Sequence, residues 1–390
     1  MDDDKRDAQS EGRLDNAAAP PSRRRFLAGA AAGTVAAGFP MVSFAQTEVF
    51  NFQSTWNSRD IFHEYAADFV RTVNEMSGGR LRLNLLPTSA VVGAFQLQDA
   101  VVKGVLDGGH GVAAYWSGKT KAFSLFGTPP PFGWDAHQFL GWIKYGGGQQ
   151  LYDELVAKLG LDLVGFLTGP MPSQPLGWFR EPIREVAQLR GMKYRTVGLA
   201  ADVMREFGAA VVVIGSGDVV PAIERGLLEG AEFNNPSSDR MLGFPDVSKT
   251  LMLRSYHQDC ESFEIIFNRT RFTKLPRELQ AIVKYAAEAS SSDMYWKAMH
   301  RYPKDLEKMR TEQGVKTYLT PDAILEAQLR AWDVVIARES EADPFFRKII
   351  ASQKAYCEKT VAFHIENNTP KEAAYRHFFG RRPTASSDKL

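Results

Sequence analysis

The sequence predicts an α/β protein of two lobes with a cleft between them, followed by a helical C-terminal region. Three observations lead there. Residues 46–390 are more than one hydrophobic core ordinarily serves, so two lobes are the default. Runs with strand character alternate with runs of helical periodicity, the mark of βαβ units and a largely parallel sheet. One pattern also occurs twice, in Lys103-Gly104-Val105-Leu106-Asp107-Gly108-Gly109-His110 and in Arg225-Gly226-Leu227-Leu228-Glu229-Gly230-Ala231-Glu232. Any helix-to-strand turn favours glycine there, but the two copies fall at equivalent points of two βαβ runs. The crevice of an open α/β sheet lies beyond the carboxyl ends of its strands, where His110 and Glu232 are expected.

Residues 1–45 read as a leader. Ser22-Arg23-Arg24-Arg25-Phe26-Leu27 resembles a twin-arginine export motif, Ala28-Gly29-Ala30 opens a short apolar region, and Ser43-Phe44-Ala45 ends it with small residues at a signal-peptidase site. The mature chain then begins near Gln46. No later apolar run reaches the ~20 residues of a membrane span, so a periplasmic location is expected.

Residues 46–170 are expected to form mainly the first lobe. Val49 to Phe52 has strand character; Phe62, Tyr65, Phe69, Val73 and Met76 then share one helical face. Leu81, Leu83 and Leu85 alternate as a strand, and Leu97, Val101 and Val105 mark a second helix. Pro129-Pro130-Pro131 forces an extended crossover or cleft-edge loop. Gly146-Gly147-Gly148 lacks the Lys-Ser/Thr ending and the preceding strand of a phosphate loop and reads as a turn or a helix packing point.

Residues 171–275 are expected to form mainly the second lobe, with strands at Lys193–Val197 and Ala210–Ile214 and helices at Leu199–Phe207 and Val219–Leu228. Residues 276–383 read as a helical region crossing both lobes. Its apolar faces run through Leu279, Ile282, Val283, Ala286 and Ala287, then Ile324, Leu325, Leu329 and Trp332. A last long helix, Asp343 to His364, carries Phe345, Phe346, Ile349, Ile350, Val361 and Phe363. That is more than one narrow contact face needs, which makes it a candidate homodimer surface. Residues 384–390 read as a loose tail.

A formal charge of +1, with both signs scattered along the chain, argues against a nucleic-acid surface. Cys260 and Cys357 are too few for a disulfide framework; a pair and two buried thiols both remain open. The seven histidines form no HExxH and no close pair. No GxSxG elbow is present, and Pro87-Thr88-Ser89 stands where a dinucleotide fingerprint needs glycines. No catalytic residue is expected.

Polar residues lodged at apolar strand ends stand out instead. Arg195 follows Met192-Lys193-Tyr194, Glu232 lies between Ala231 and Phe233, and Gln174 and Gln258 stand in short polar interruptions. A guanidinium fits a carboxylate bidentately, and a carboxylate with amide oxygens suits a hard cation. Taken alone, Arg195 is better explained by an internal ion pair, for which Glu232 is one candidate partner.

Gly177-Trp178-Phe179-Arg180, Leu189-Arg190-Gly191-Met192-Lys193-Tyr194-Arg195, Gly198-Leu199-Ala200 and Gly230-Ala231-Glu232-Phe233 with Asn235-Pro236 resemble, in order, the signature of TRAP transporter solute-binding proteins of the DctP-like family. The pattern is most similar to the branch of α-keto-acid and lactate receptors, and the likeness runs from Val49 to Phe379. It implies a periplasmic binding-protein fold, its lobes joined by hinge strands and a long helix, that captures a small organic acid (2-oxo, 2-hydroxy or sugar acid) for TRAP membrane subunits. It implies that Arg195 clamps the acid's carboxylate and that Gln174, Glu232, the Phe233 carbonyl and Gln258 hold a sodium or calcium ion, with no organic cofactor. Trp56, Tyr115 and Phe132 are candidate walls, and Asn234 and Asn235 candidates for meeting a distal polar group. In the branch the Glu-aromatic pair is usually Glu-Trp, followed by a glycine-containing segment; here Phe233-Asn234-Asn235 stands there. An exported oxidoreductase or hydrolase, or a periplasmic sensor of an organic acid, are the alternatives.

Overall fold

The computed structural model describes residues 47–380; the expected leader and the expected tail lie outside them. Eleven strands form two mixed sheets. The first holds β1 (Glu48–Ser54), β2 (Leu81–Leu86), β3 (Gly108–Gly111), β4 (Leu163–Met171) and β10 (Glu261–Asn268), in the order β2-β1-β3-β10-β4. The second holds β5 (Gly177–Phe179), β6 (Lys193–Arg195), β7 (Ala210–Val212), β8 (Gly230–Ala231), β9 (Thr250–Leu253) and β11 (Lys316–Leu319), in the order β11-β9-β5-β8-β6-β7.

Both sheets repeat one plan. β1 pairs parallel with β2 and β3, as β6 does with β7 and β8. β10 then pairs antiparallel to β3 and β4, as β5 does to β8 and β9. The sheets are therefore less parallel than the alternation of strands and helices predicts, because β5 and β10 enter each lobe from the other one.

The repeated octapeptide is one turn built twice. The Gly104 and Gly226 N–H groups donate to the Val101 and Ile223 carbonyls at 3.0 and 2.9 Å, and Val105 and Leu227 to those of Ala100 and Ala222 at 2.9 Å. Asp107 and Glu229 then donate from their backbone N–H to Asn51 and Lys193, both at 2.9 Å. Their carboxylates accept from the N–H of those same residues, at 2.8 and 3.0 Å. Gly104 and Gly226 both have φ +71°, a conformation that ends the helix and is costly for any residue with a Cβ. The helix Leu97–Val102 accordingly stops short of Val105, which is 58 % exposed.

The helix Ile61–Met76 starts at Asp60, whose carboxylate accepts from the Phe62 N–H, and buries Phe62, Tyr65, Phe69 and Val73. Met76, at its last position, faces solvent. The chain crosses between sheets from β4 to β5 and back from β9 to β10, and the crossings are tied where Gln174 N–H donates to the Gln258 carbonyl at 3.1 Å. The helix Arg277–Thr311 packs on β4 and the Ile61–Met76 helix at one stage and on the helix Pro236–Leu242 at another, joining the lobes a third time. In the helix Asp322–Ala342, Gln328 is buried where Leu329 was expected: it accepts from Tyr256 N–H and donates to Ser255 Oγ, both at 2.8 Å. The last long helix, Pro344–Asn367, packs back on the first lobe and buries Phe345, Phe346, Ile349, Ile350 and Val361 within its own chain. Cys260 and Cys357 are both buried free thiols.

Candidate functional site

The lobes are closed on each other. Lys121 pairs with Asp202 across the cleft at 2.5 Å, and the Phe62 and Phe233 rings lie 5.7 Å apart. Between the lobes is a cavity of about 20 Å³, room for little more than one water-sized body. Trp56, Tyr115, Gln174, Arg195, Phe233, Asn234 and Glu261 are among its walls. A second cavity of about 220 Å³ shares Gln174 and Asn234 and continues toward Leu253 and Tyr302.

Arg195 ends β6 and is 1 % exposed. Its Nε donates to the Ile214 carbonyl, and its Nη1 to both the backbone carbonyl and Oε1 of Glu232, all at 3.0 Å. The ion pair that the residues alone allowed is therefore present, but it occupies only one arm of the fork. Nη2 is buried with no hydrogen-bond partner. Among the other buried oxygens without a partner, Gln174 Oε1, Gln258 Oε1 and Glu232 Oε2 belong to residues at or next to this site. Polar atoms left so inside a protein cost free energy, which makes these four candidates for holding an outside group. One carboxylate and two amide oxygens make a hard donor set that fits sodium or calcium. Among the described residues no group of three or more His, Cys, Asp and Glu could hold a metal ion.

Burial pushes Glu232 up to about 7, with the Arg195 charge and Thr196 opposing it. Glu261, at the start of β10, is pushed up to about 8 by burial, opposed by Gln174 and Asn234; its Oε2 accepts from Asn234 Nδ2 at 2.5 Å. Sequence reasoning missed Glu261, although a glutamate opening an apolar strand is the same signal that singled out Glu232.

The other expected residues divide. Trp56 and Tyr115 line the cavity, and Trp56 Nε1 donates to His110 Nδ1 at 2.9 Å. Gln258 and Glu232 are fully buried beside the lining. Asn235 belongs only to the second cavity, and its side chain is spent capping the helix Pro236–Leu242, accepting from Ser237 and Ser238 N–H. Phe132 is in neither cavity; it packs beside Trp134 and under Lys354, because the proline run leads it to the last long helix.

The family model for bacterial extracellular solute-binding proteins of family 7 matches residues 52–341. A monocarboxylate 2-oxoacid-binding periplasmic protein of Nostoc sp. is 26 % identical over 367 residues, covering 91 % of this chain and 98 % of that one. The crystal structure of a TRAP transporter solute-binding protein from Bordetella bronchiseptica superposes with a TM-score of 0.80 at 26 % identity, covering 86 % of this chain and 98 % of that one; it is a mixed-occupancy dimer with calcium and picolinate in one active site against an apo site. A TRAP periplasmic solute-binding protein from Pseudoalteromonas atlantica, with bound sodium and pyruvate, superposes with a TM-score of 0.79 at 28 % identity, covering 86 % of this chain and all of that one. With its two closed lobes, three crossings and match over most of its length, this chain belongs to the bacterial extracellular solute-binding proteins of family 7.

Proposed function

We propose that this protein is the periplasmic substrate-binding subunit of a TRAP transporter, that it captures a small 2-oxo monocarboxylate together with a sodium or calcium ion, and that it passes the acid unchanged to the membrane subunits. The observation that carries this is that Arg195, with its free guanidinium arm, and Gln174, with its partnerless Oε1, line one small cavity between the lobes, with the partnerless oxygens of Glu232 and Gln258 buried next to it. The relatives that bind 2-oxo acids support the substrate class. Gln174, Glu232 and Gln258, with the Phe233 carbonyl, would hold the cation, which supplies a hard positive centre for the acid's oxygens. Arg195 binds the carboxylate with its free arm while its other arm stays on Glu232. Asn234 and Glu261 border the part of the acid that faces the second cavity. Among the described residues no helix is long and apolar enough to cross a membrane, and delivery depends on the partner subunits.

Calorimetry with pyruvate, with and without chelator and sodium, tests this directly. Wild type should bind, and Arg195→Lys should weaken binding by about 2 kcal/mol, since lysine cannot replace the fork. Unchanged affinity in Arg195→Lys would remove the clamp, and binding of neutral sugars in place of any acid would remove the substrate class.

A further inference from the structure

We propose that Asp60 and Ser238 form a latch between the lobes that sets how long the captured ligand is held. Ser238, on the second-lobe helix Pro236–Leu242, donates from Oγ to Asp60 Oδ1 at 2.6 Å. Asp60 starts the first-lobe helix Ile61–Met76, and both residues are buried, at 1 % and 0 % exposure. The bond joins the two lobes, so it exists only when they meet. Asp60 Oδ2 is buried with no hydrogen-bond partner, so opening the cleft returns a desolvated carboxylate to water. Among the described residues the bond to Ser238 is the one contact that compensates this carboxylate across the cleft, alongside the Lys121–Asp202 pair and the Asn234–Glu261 bond elsewhere in it, and its loss should show in the rate of opening.

The latch is wired to the site. Asn234, which borders the cavity, accepts through Oδ1 from Asn235 Nδ2, and the same Nδ2 reaches Ser238 Oγ at 3.2 Å. Ser237, beside it, donates to Asp305 on the Arg277–Thr311 helix at 2.6 Å. Three residues upstream of Asn235, Glu232 faces Arg195, and the Phe233 ring rests on Phe62, two residues from Asp60. A ligand that orders Glu232 to Asn234 therefore also orders the turn that carries Ser238. Neither Asp60 nor Ser238 lines the cavity. They are positioning residues, and affinity can be tuned through them without changing what is bound.

The test compares wild type, Ser238→Ala and Asp60→Asn, the last keeping the helix cap and an acceptor for Ser238. With pyruvate and calcium in stopped-flow fluorescence, Ser238→Ala should raise the dissociation rate about tenfold and leave the association rate within about twofold. Asp60→Asn should fall between wild type and Ser238→Ala, because the acceptor remains but loses its charge. Small-angle scattering of the ligand-free proteins should show Ser238→Ala more open than wild type. Dissociation rates and scattering equal to wild type would overturn the latch, and so would a loss of affinity matched by an equal loss of ligand-free stability. If wild-type protein binds no 2-oxo acid, the proposed substrate fails, and the scattering comparison still decides the latch.

Discussion

At the scale of the residue, the site is governed by which polar atoms burial leaves unpaired. Glu232 accepts from Arg195 at Oε1 while its Oε2 is buried without a partner, so the proposed cation contact falls to Oε2. Glu232→Gln removes the negative charge but keeps the shape. It should weaken pyruvate binding at least tenfold and make it insensitive to calcium, with the melting temperature of the ligand-free protein little changed. Calorimetry with and without chelator reads this, and retained calcium dependence would take Glu232 out of the cation site. Arg195, Gln174, Glu232 and Gln258 were legible in the sequence because a polar residue amid apolar strand ends has to be explained by something. Asn235 was legible as polar but not as a helix cap, since its partners are backbone N–H groups that no pattern displays. Phe132 was misplaced because aromaticity does not say which side of a loop a ring takes.

At the scale of the element, the repeated octapeptide allows the cost of a turn to be isolated. A Cβ on Gly104 would meet nothing within 4 Å, so only its φ of +71° opposes a side chain. Gly118, also without neighbours but with no positive φ, is its control. Gly104→Ala should therefore destabilise by about 1 kcal/mol, and Gly118→Ala by well under that. Equal midpoint shifts in urea would show that the turn tolerates alanine. Element existence was readable because helix and strand periodicities differ and glycine ends each copy of the turn. The direction of β5 and β10 was not readable, because it is set by the path of the chain between lobes. Leu329 and Gln328 exchanged roles for a similar reason: Gln328 is buried to satisfy the crossing segment at Ser255 and Tyr256, a demand from residues far away in sequence.

At the scale of the whole molecule, two collective properties follow from what the chain buries and what it leaves bare. Burial raises Asp60 to about 6 and Asp239 and Glu264 to about 7, and lowers His110 to about 3. A raised carboxyl stabilises most below its unfolded pKa, near 4, and that contribution is lost as pH climbs through 6 to 7. A lowered histidine has the opposite sign, its contribution complete above about 6.5 and lost toward 3. Glu232 and Glu261 are raised likewise, so five carboxyls outweigh the lowered imidazoles of His110, His257 and His63, and the melting temperature of ligand-free protein should fall between pH 5 and pH 7; a rise would show that these carboxyls ionise freely. The second property concerns assembly. The expected dimer surface was read from the apolar residues of the last long helix, but its own chain covers five of those six, and only Phe363 stays exposed. The uncovered apolar surface lies further on: Phe363, Ile365, Phe378 and Phe379 are 64–77 % exposed, and the helix Lys371–Phe379 buries none of its residues. So much exposed aromatic surface on a peripheral helix is unfavourable in water and would be relieved by a second copy of the chain. Wild-type protein at micromolar concentration should therefore scatter light as a dimer, and Phe378→Ser with Phe379→Ser should shift it to the monomer mass while leaving pyruvate affinity within about twofold. A wild-type monomer would place that helix elsewhere, against a partner other than itself.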